Sequence, residues 1–159
     1  MKKKFFIFVC ALCLMLPCAV IFSGCNAKQI TMQEISSTLK DAEPPVVEGL
    51  MPLSYSGVFF SESTFVGWQR NFERNNIDTT EFMTMDYFYY YETNDIYSRE
   101  ELYCYVFKFK SSESAVNCEN NFNFTDNLGI SFTAKTYGNL VVACQSEVAE
   151  YVFDIVDNI

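Results

Sequence analysis

Two runs constrain this chain more than any others: MDYFYYYE over 85–92 and LYCYVFKFK over 102–110. Aromatic and β-branched residues at this density favour a pleated, half-buried surface, so both read as strands, with Thr93-Asn94-Asp95 turning the chain between them. Side chains alternate across a strand. Tyr87, Tyr89 and Tyr91 therefore point to one face, and Phe88 and Tyr90 to the other. One row enters a core; the second is either displayed as a flat binding surface or covered by helices and by cross-strand pairs with Tyr103 and Tyr105. Trp68 would extend a displayed surface.

The rest of the chain supplies partners for those strands. Thr31 and Glu34 match the S/T-x-x-E capping box, with Ile30 and Ile35 as a hydrophobic staple, and Pro44-Pro45 ends the helix they start. A strand is expected around Gly57–Ser61. Phe65, Trp68 and Phe72 fall at helical spacing. Ser111 or Ser112 caps a helix running to Phe122, and 126–129 forms a turn. Residues 130–135 alternate as a half-buried strand, and Gly138-Asn139 turns into a strand over Leu140–Cys144. Ser146 caps a last helix carrying Val148, Val152 and Ile155 on one face. These elements predict an α+β fold: an antiparallel sheet of about four to five strands, with two to three helices packed on one face. The second half, β-α-β-β-α, is compatible with a ferredoxin-like arrangement without requiring it.

The N-terminus carries a different kind of information. Lys2, Lys3 and Lys4 precede an uncharged stretch from Phe5 to Gly24 that ends in Phe22-Ser23-Gly24-Cys25. A basic start, an apolar run and small residues before a cleavage point mark a secretory signal peptide. Ser23-Gly24-Cys25, with Phe22 where Leu is usual, resembles the lipobox of bacterial lipoproteins. The resemblance implies cleavage before Cys25, fatty-acyl chains such as palmitate on Cys25, and a membrane-anchored protein on the extracytoplasmic side of the cell envelope. The alternatives are plain secretion and an uncleaved anchor; for the latter, twenty uncharged residues at about 1.5 Å each just span a hydrocarbon core of about 30 Å. Pro17 and the polar Ser23-Gly24 argue against the uncleaved anchor. The organisation expected is a signal peptide over 1–24, a lipidated tether over 25–30 and a single α+β domain over 31–159.

Composition narrows the function classes. The 159 residues include 20 acidic and 11 basic side chains and no histidine. Loss of residues 1–24 takes three lysines with it and leaves 135 residues at a formal −12. Such a body is a poor match for a phosphate backbone, so no nucleic-acid partner is expected. Without histidine there is no Ser-His-Asp or Cys-His arrangement and no His-ligated metal. No phosphate-cradling Gly-rich loop, nucleophile elbow or calcium loop is visible, and neither cofactor nor metal is expected. After Cys25 is lipidated, Cys104, Cys118 and Cys144 remain. They read as structural, and Cys104–Cys144, as neighbours in the sheet, is the pair chosen for a disulfide. The reading that follows is a binding or interaction module for an envelope protein, peptide or glycan, and not an enzyme. An accessory subunit of an envelope complex is the alternative, and a hydrolase without a recognisable motif ranks last.

Overall fold

A computed structural model describes residues 29–93, 100–125 and 129–159. The expected signal peptide, the lipobox-like segment with Cys25, most of the expected tether, and most of the turns expected at 93–95 and 126–129 lie outside the described residues. The elements in chain order are α1 (Met32–Asp41), β1 (Leu53–Tyr55), α2 (Glu62–Arg74), β2 (Phe82–Glu92), β3 (Glu101–Phe109), α3 (Ser112–Asn121), β4 (Phe132–Tyr137), β5 (Leu140–Gln145) and α4 (Ser146–Asp157). The five strands form one antiparallel sheet in the order β1-β2-β3-β5-β4. The α+β expectation holds, with five strands and four helices among the described residues.

The helices lie on both faces of the sheet and not on one. Ile35 and Leu39 of α1 and Val148, Val152 and Val156 of α4 pack on Phe88, Tyr90, Leu102, Cys104, Val142 and Cys144. On the opposite face, Trp68 and Phe72 of α2 and Ala115 and Cys118 of α3 pack on Phe82, Met85, Phe107, Phe109, Val141 and Ala143. The cause is β5. All six of its residues are buried, so the strand has no solvated side and needs cover above and below. The strand order β3-β5-β4, with α3 crossing between β3 and β4, is that of a split βαβ unit. Because α4 then packs opposite α3, the helix placement departs from the ferredoxin-like one, in which both helices share a face.

Local chemistry sets the element ends. At the start of α1, Glu34 N–H donates to Thr31 Oγ1 at 3.2 Å and Thr31 N–H donates to the Glu34 carboxylate at 2.9 Å, the reciprocal capping box. At the end of α2, Asn76 takes φ 57°. Ile77 N–H then donates to Phe72 O at 3.0 Å and Asn76 N–H to Glu73 O at 3.1 Å, a Schellman closure with Asn in the left-handed position.

Three expected boundaries move. The strand expected at 57–61 is β1 at 53–55: Gly57 at φ +87° breaks the extended path, and Phe59 keeps a single bridge to Tyr87. The strand expected at 130–135 is β4 at 132–137. Ser146 is the first residue of α4 and not its cap. Gln145 holds the cap position, and its side chain turns inward to accept the Tyr103 N–H.

Gln29, the first described residue, is bound at the β4–β5 turn. Its side-chain amide donates to Asn139 Oδ1 at 3.0 Å, so the chain enters the body at the β4–β5 turn, beside the end of β3 where Phe109 N–H donates to Asn139 O at 2.9 Å.

Phe72 is the centre of the aromatic core, fully buried with its ring 5.0 Å from Phe82, 5.2 Å from Phe122 and 5.3 Å from Phe107. Phe72→Ala is expected to cost about 3–5 kcal/mol, and Thr31→Ala about 1 kcal/mol. Guanidinium chloride denaturation measures both; a loss below about 1.5 kcal/mol for Phe72→Ala would contradict the packing of α2 on the sheet.

Candidate functional site

The tyrosines follow the alternation. Phe88 and Tyr90 are each 1% exposed, under α1 and α4. Tyr87, Tyr89 and Tyr91 emerge on the opposite face, half-buried, beside Tyr103 and Tyr105 of β3. Register opposes Tyr87 to Tyr105 and Tyr89 to Tyr103. Their ring centroids are 6.2 Å and 5.2 Å apart, and Tyr103 and Tyr105 stack along the strand at 6.3 Å with planes 13° apart. The five rings form one continuous aromatic field.

A gradient along β3 explains why this field is not sealed. On the α2/α3 face its successive residues are Phe109, Phe107, Tyr105, Tyr103 and Glu101. Both phenylalanines are completely buried, whereas both tyrosines and Glu101 are partly exposed. Side-chain polarity thus rises step by step away from the helix-covered end. A tyrosine suits the middle of such a gradient, with an apolar ring to pack and a hydroxyl to leave in water. The Tyr103 hydroxyl donates to the Glu101 carboxylate, and burial followed by that bond pushes the Tyr103 phenol well above its ordinary value. Glu101 therefore supplies a fixed acceptor at the rim.

Phe59 lies over part of the field. Its ring is 40% exposed and stacks on Tyr89 at 5.9 Å, held by the backbone bridge to Tyr87. Nothing in the sequence around Phe59 announced this role. Tyr103 and Tyr105 were foreseeable, because the alternation of LYCYVFKFK puts both on one face.

Trp68 does not belong to the displayed surface. It is 5% exposed, on the inner side of α2, with its indole edge-on to Tyr105 and to Phe107, both at 5.0 Å. The helical spacing that pairs it with Phe72 also turns it inward. Its part is to buttress Tyr105 from the core side.

The remaining polar groups show no catalytic arrangement among the described residues. Cys104, Cys118 and Cys144 are buried free thiols. Burial pushes the Cys104 thiol up, aided by its hydrogen bond with Cys144, and pushes Cys118 up to about 12. Protonated thiols are poor nucleophiles at neutral pH. A cleft of about 640 Å³ between α1 and α4 carries Asp41 and Asp154, but the Tyr151 hydroxyl beside them is spent on Glu43 O. Among the described residues no three metal-ligating side chains converge, and no helix is long and apolar enough to cross a membrane.

The buried phenols and the Cys118 thiol predict how stability varies with pH. Tyr55 is pushed up to about 12 by burial and then by Cys104, and Tyr90 is raised further by burial. Each group is neutral in the folded state at a pH where the unfolded chain has begun to ionise, at about 8.5 for thiols and 10 for phenols. Their stabilisation is full below those values and is lost as pH rises toward the folded ones. Denaturation midpoints are expected to be level between about pH 6 and 8, where a chain without histidine has no ordinary side-chain titration, and to fall by at least about 2 kcal/mol in stability by pH 11. A midpoint unchanged at that pH would contradict the burial of these groups.

No protein-family model, no curated protein and no solved structure matches this chain.

Proposed function

We propose that the chain is an extracytoplasmic lipoprotein, anchored to the membrane by lipid on Cys25, whose body is a binding module that takes a glycan of the cell envelope on the tyrosine field. The observation that carries this reading is the field itself: five half-buried tyrosines side by side on β2 and β3 where the cover of α2 and α3 over the sheet face runs out. Sugar rings offer C–H groups to an aromatic face and hydroxyls to polar atoms at its rim. Tyr87, Tyr89, Tyr91, Tyr103 and Tyr105 provide the first, and the phenol hydroxyls with Glu101 provide the second. Tyrosine also has few rotamers to lose on binding. The formal −12 of the exported part disfavours an anionic polymer and leaves neutral or amine-bearing glycans.

The tether supports the same reading. It meets the body at the β4–β5 turn, and Tyr103 lies six residues along β3 from the Phe109 end of the sheet, about 20 Å away at 3.3–3.4 Å per residue. A lipid on Cys25 would hold the turn end toward the membrane and the tyrosine end away from it. Repulsion between an acidic body and an anionic leaflet acts in the same direction.

Two measurements test this. Cys25→Ser is expected to abolish incorporation of a labelled fatty acid and to release the chain from the membrane fraction; label persisting on the variant would end the lipoprotein reading. Co-sedimentation of the detergent-purified protein with isolated envelope polysaccharide tests the field. Tyr89→Ala should weaken it about tenfold or more while costing about 1 kcal/mol of stability. Tyr90→Ala should cost about 3–5 kcal/mol and leave binding by the folded fraction intact. Equal effects of both on binding, or no co-sedimentation by the folded wild type, would refute the assignment.

A further inference from the structure

Cys104 and Cys144 sit directly opposite each other across β3 and β5, and the hydrogen-bond pattern fixes the kind of position they occupy. Phe109 N–H and Tyr103 N–H both point toward β5, the first to Asn139 O and the second to the Gln145 side chain. Odd-numbered residues of β3 therefore make its bonds to β5, and Cys104 faces Cys144 at a non-hydrogen-bonded position. Such positions bring Cα atoms to about 4.5 Å with the side chains close together, inside the roughly 4.4–6.8 Å that a disulfide needs. Both residues are 0% exposed, on the face covered by α1 and α4. Cys118 lies in the other core, on the far side of the sheet, and cannot compete for either partner.

We propose that Cys104 and Cys144 are the site of an intramolecular disulfide that staples the two central strands in register. Two thiols give up two protons and two electrons, one sulfur–sulfur bond forms, and the oxidant, a disulfide of the kind present outside the cytoplasm, is reduced to two thiols. Neither sulfur is reachable once the sheet has closed, so the bond forms during folding. Its consequence reaches the tyrosine field, because Tyr103 and Tyr105 flank Cys104 on the opposite face. A one-residue slip of β3 would carry both tyrosines to the covered side, and the staple forbids that slip. The supply of oxidant rests on the extracytoplasmic reading; the pairing itself does not.

The test has two arms. In the first, the full chain in detergent is reduced and unfolded in guanidinium chloride, refolded against a mixture of reduced and oxidised glutathione, quenched with acid, and alkylated after denaturation. Peptide mapping is expected to find Cys104 linked to Cys144 with the loss of two hydrogens, and Cys118 alkylated. Cys104→Ser and Cys144→Ser should each abolish the link without diverting the remaining cysteine to Cys118. Alkylation of all three residues in the wild type, or a link to Cys118, overturns the pairing. In the second arm, thiols are trapped by acid in intact cells. The same link there supports formation during export. Free thiols in cells, with the link formed on refolding, overturn the proposed oxidant and the extracytoplasmic location while leaving the pairing intact.

Discussion

The pairing of β3 with β2 on one side and β5 on the other is the constraint that everything else obeys. β3 contributes to both cores at once, with Leu102, Cys104 and Val106 on the α1/α4 face and Phe107 and Phe109 on the α2/α3 face. Side-chain period is two, so a shift by one residue would exchange the contents of the two cores. They are not interchangeable. The first is mainly aliphatic, with small Cys, Ala and Val residues admitting two close helices. The second is a network of edge-on rings around Trp68 and Phe72. Register is therefore specified by shape as well as by polarity.

The same register creates the candidate site. On the α2/α3 face, β2 runs from Phe82 and Met85 to Tyr87, Tyr89 and Tyr91, while β3 runs antiparallel from Phe109 and Phe107 to Tyr105 and Tyr103. The two gradients coincide because Tyr87 opposes Tyr105 and Tyr89 opposes Tyr103. Helix cover is complete over the phenylalanines, partial at Tyr87 and Tyr105, which still pack against the second core, and gives out toward Tyr89 and Tyr103. No loop is needed to build such a surface, and it inherits the rigidity of the sheet beneath it.

Much of this was legible in the residues. The alternation of MDYFYYYE and LYCYVFKFK gave both faces of β2 and β3, and Thr31 with Glu34 gave the start of α1. The second helical layer was missed although a signal for it existed: Leu140-Val141-Val142-Ala143-Cys144 does not alternate, and a continuous apolar strand has no face for water. Trp68 was misplaced because helical spacing shows that Phe65, Trp68 and Phe72 share a face but not which way that face looks. Ser146 reads as a cap by composition, whereas the Gln145 side chain is drawn into a tertiary bond with the Tyr103 backbone that local sequence does not reveal. The Phe59 bridge depends on where Gly57 turns the chain, and a single glycine does not encode that direction.

The proposed binding surface is held still by its neighbours. Each ring of the field has a neighbour: Tyr105 rests edge-on against the buried indole of Trp68, Tyr89 lies between Phe59 and Tyr103, and the Tyr103 hydroxyl is fixed on Glu101. Side chains ordered by folding have little further entropy to lose when a ligand arrives, so weak contacts spread over several rings can sum to useful affinity. The arrangement also separates the roles of the two faces of β3. Packing on the α1/α4 side fixes the strand, and the α2/α3 side presents what the fixed strand carries. Substitutions at Cys104 or Val106 would then reach the tyrosines through register, and substitutions at Tyr103 or Tyr105 would leave the opposite core as it was.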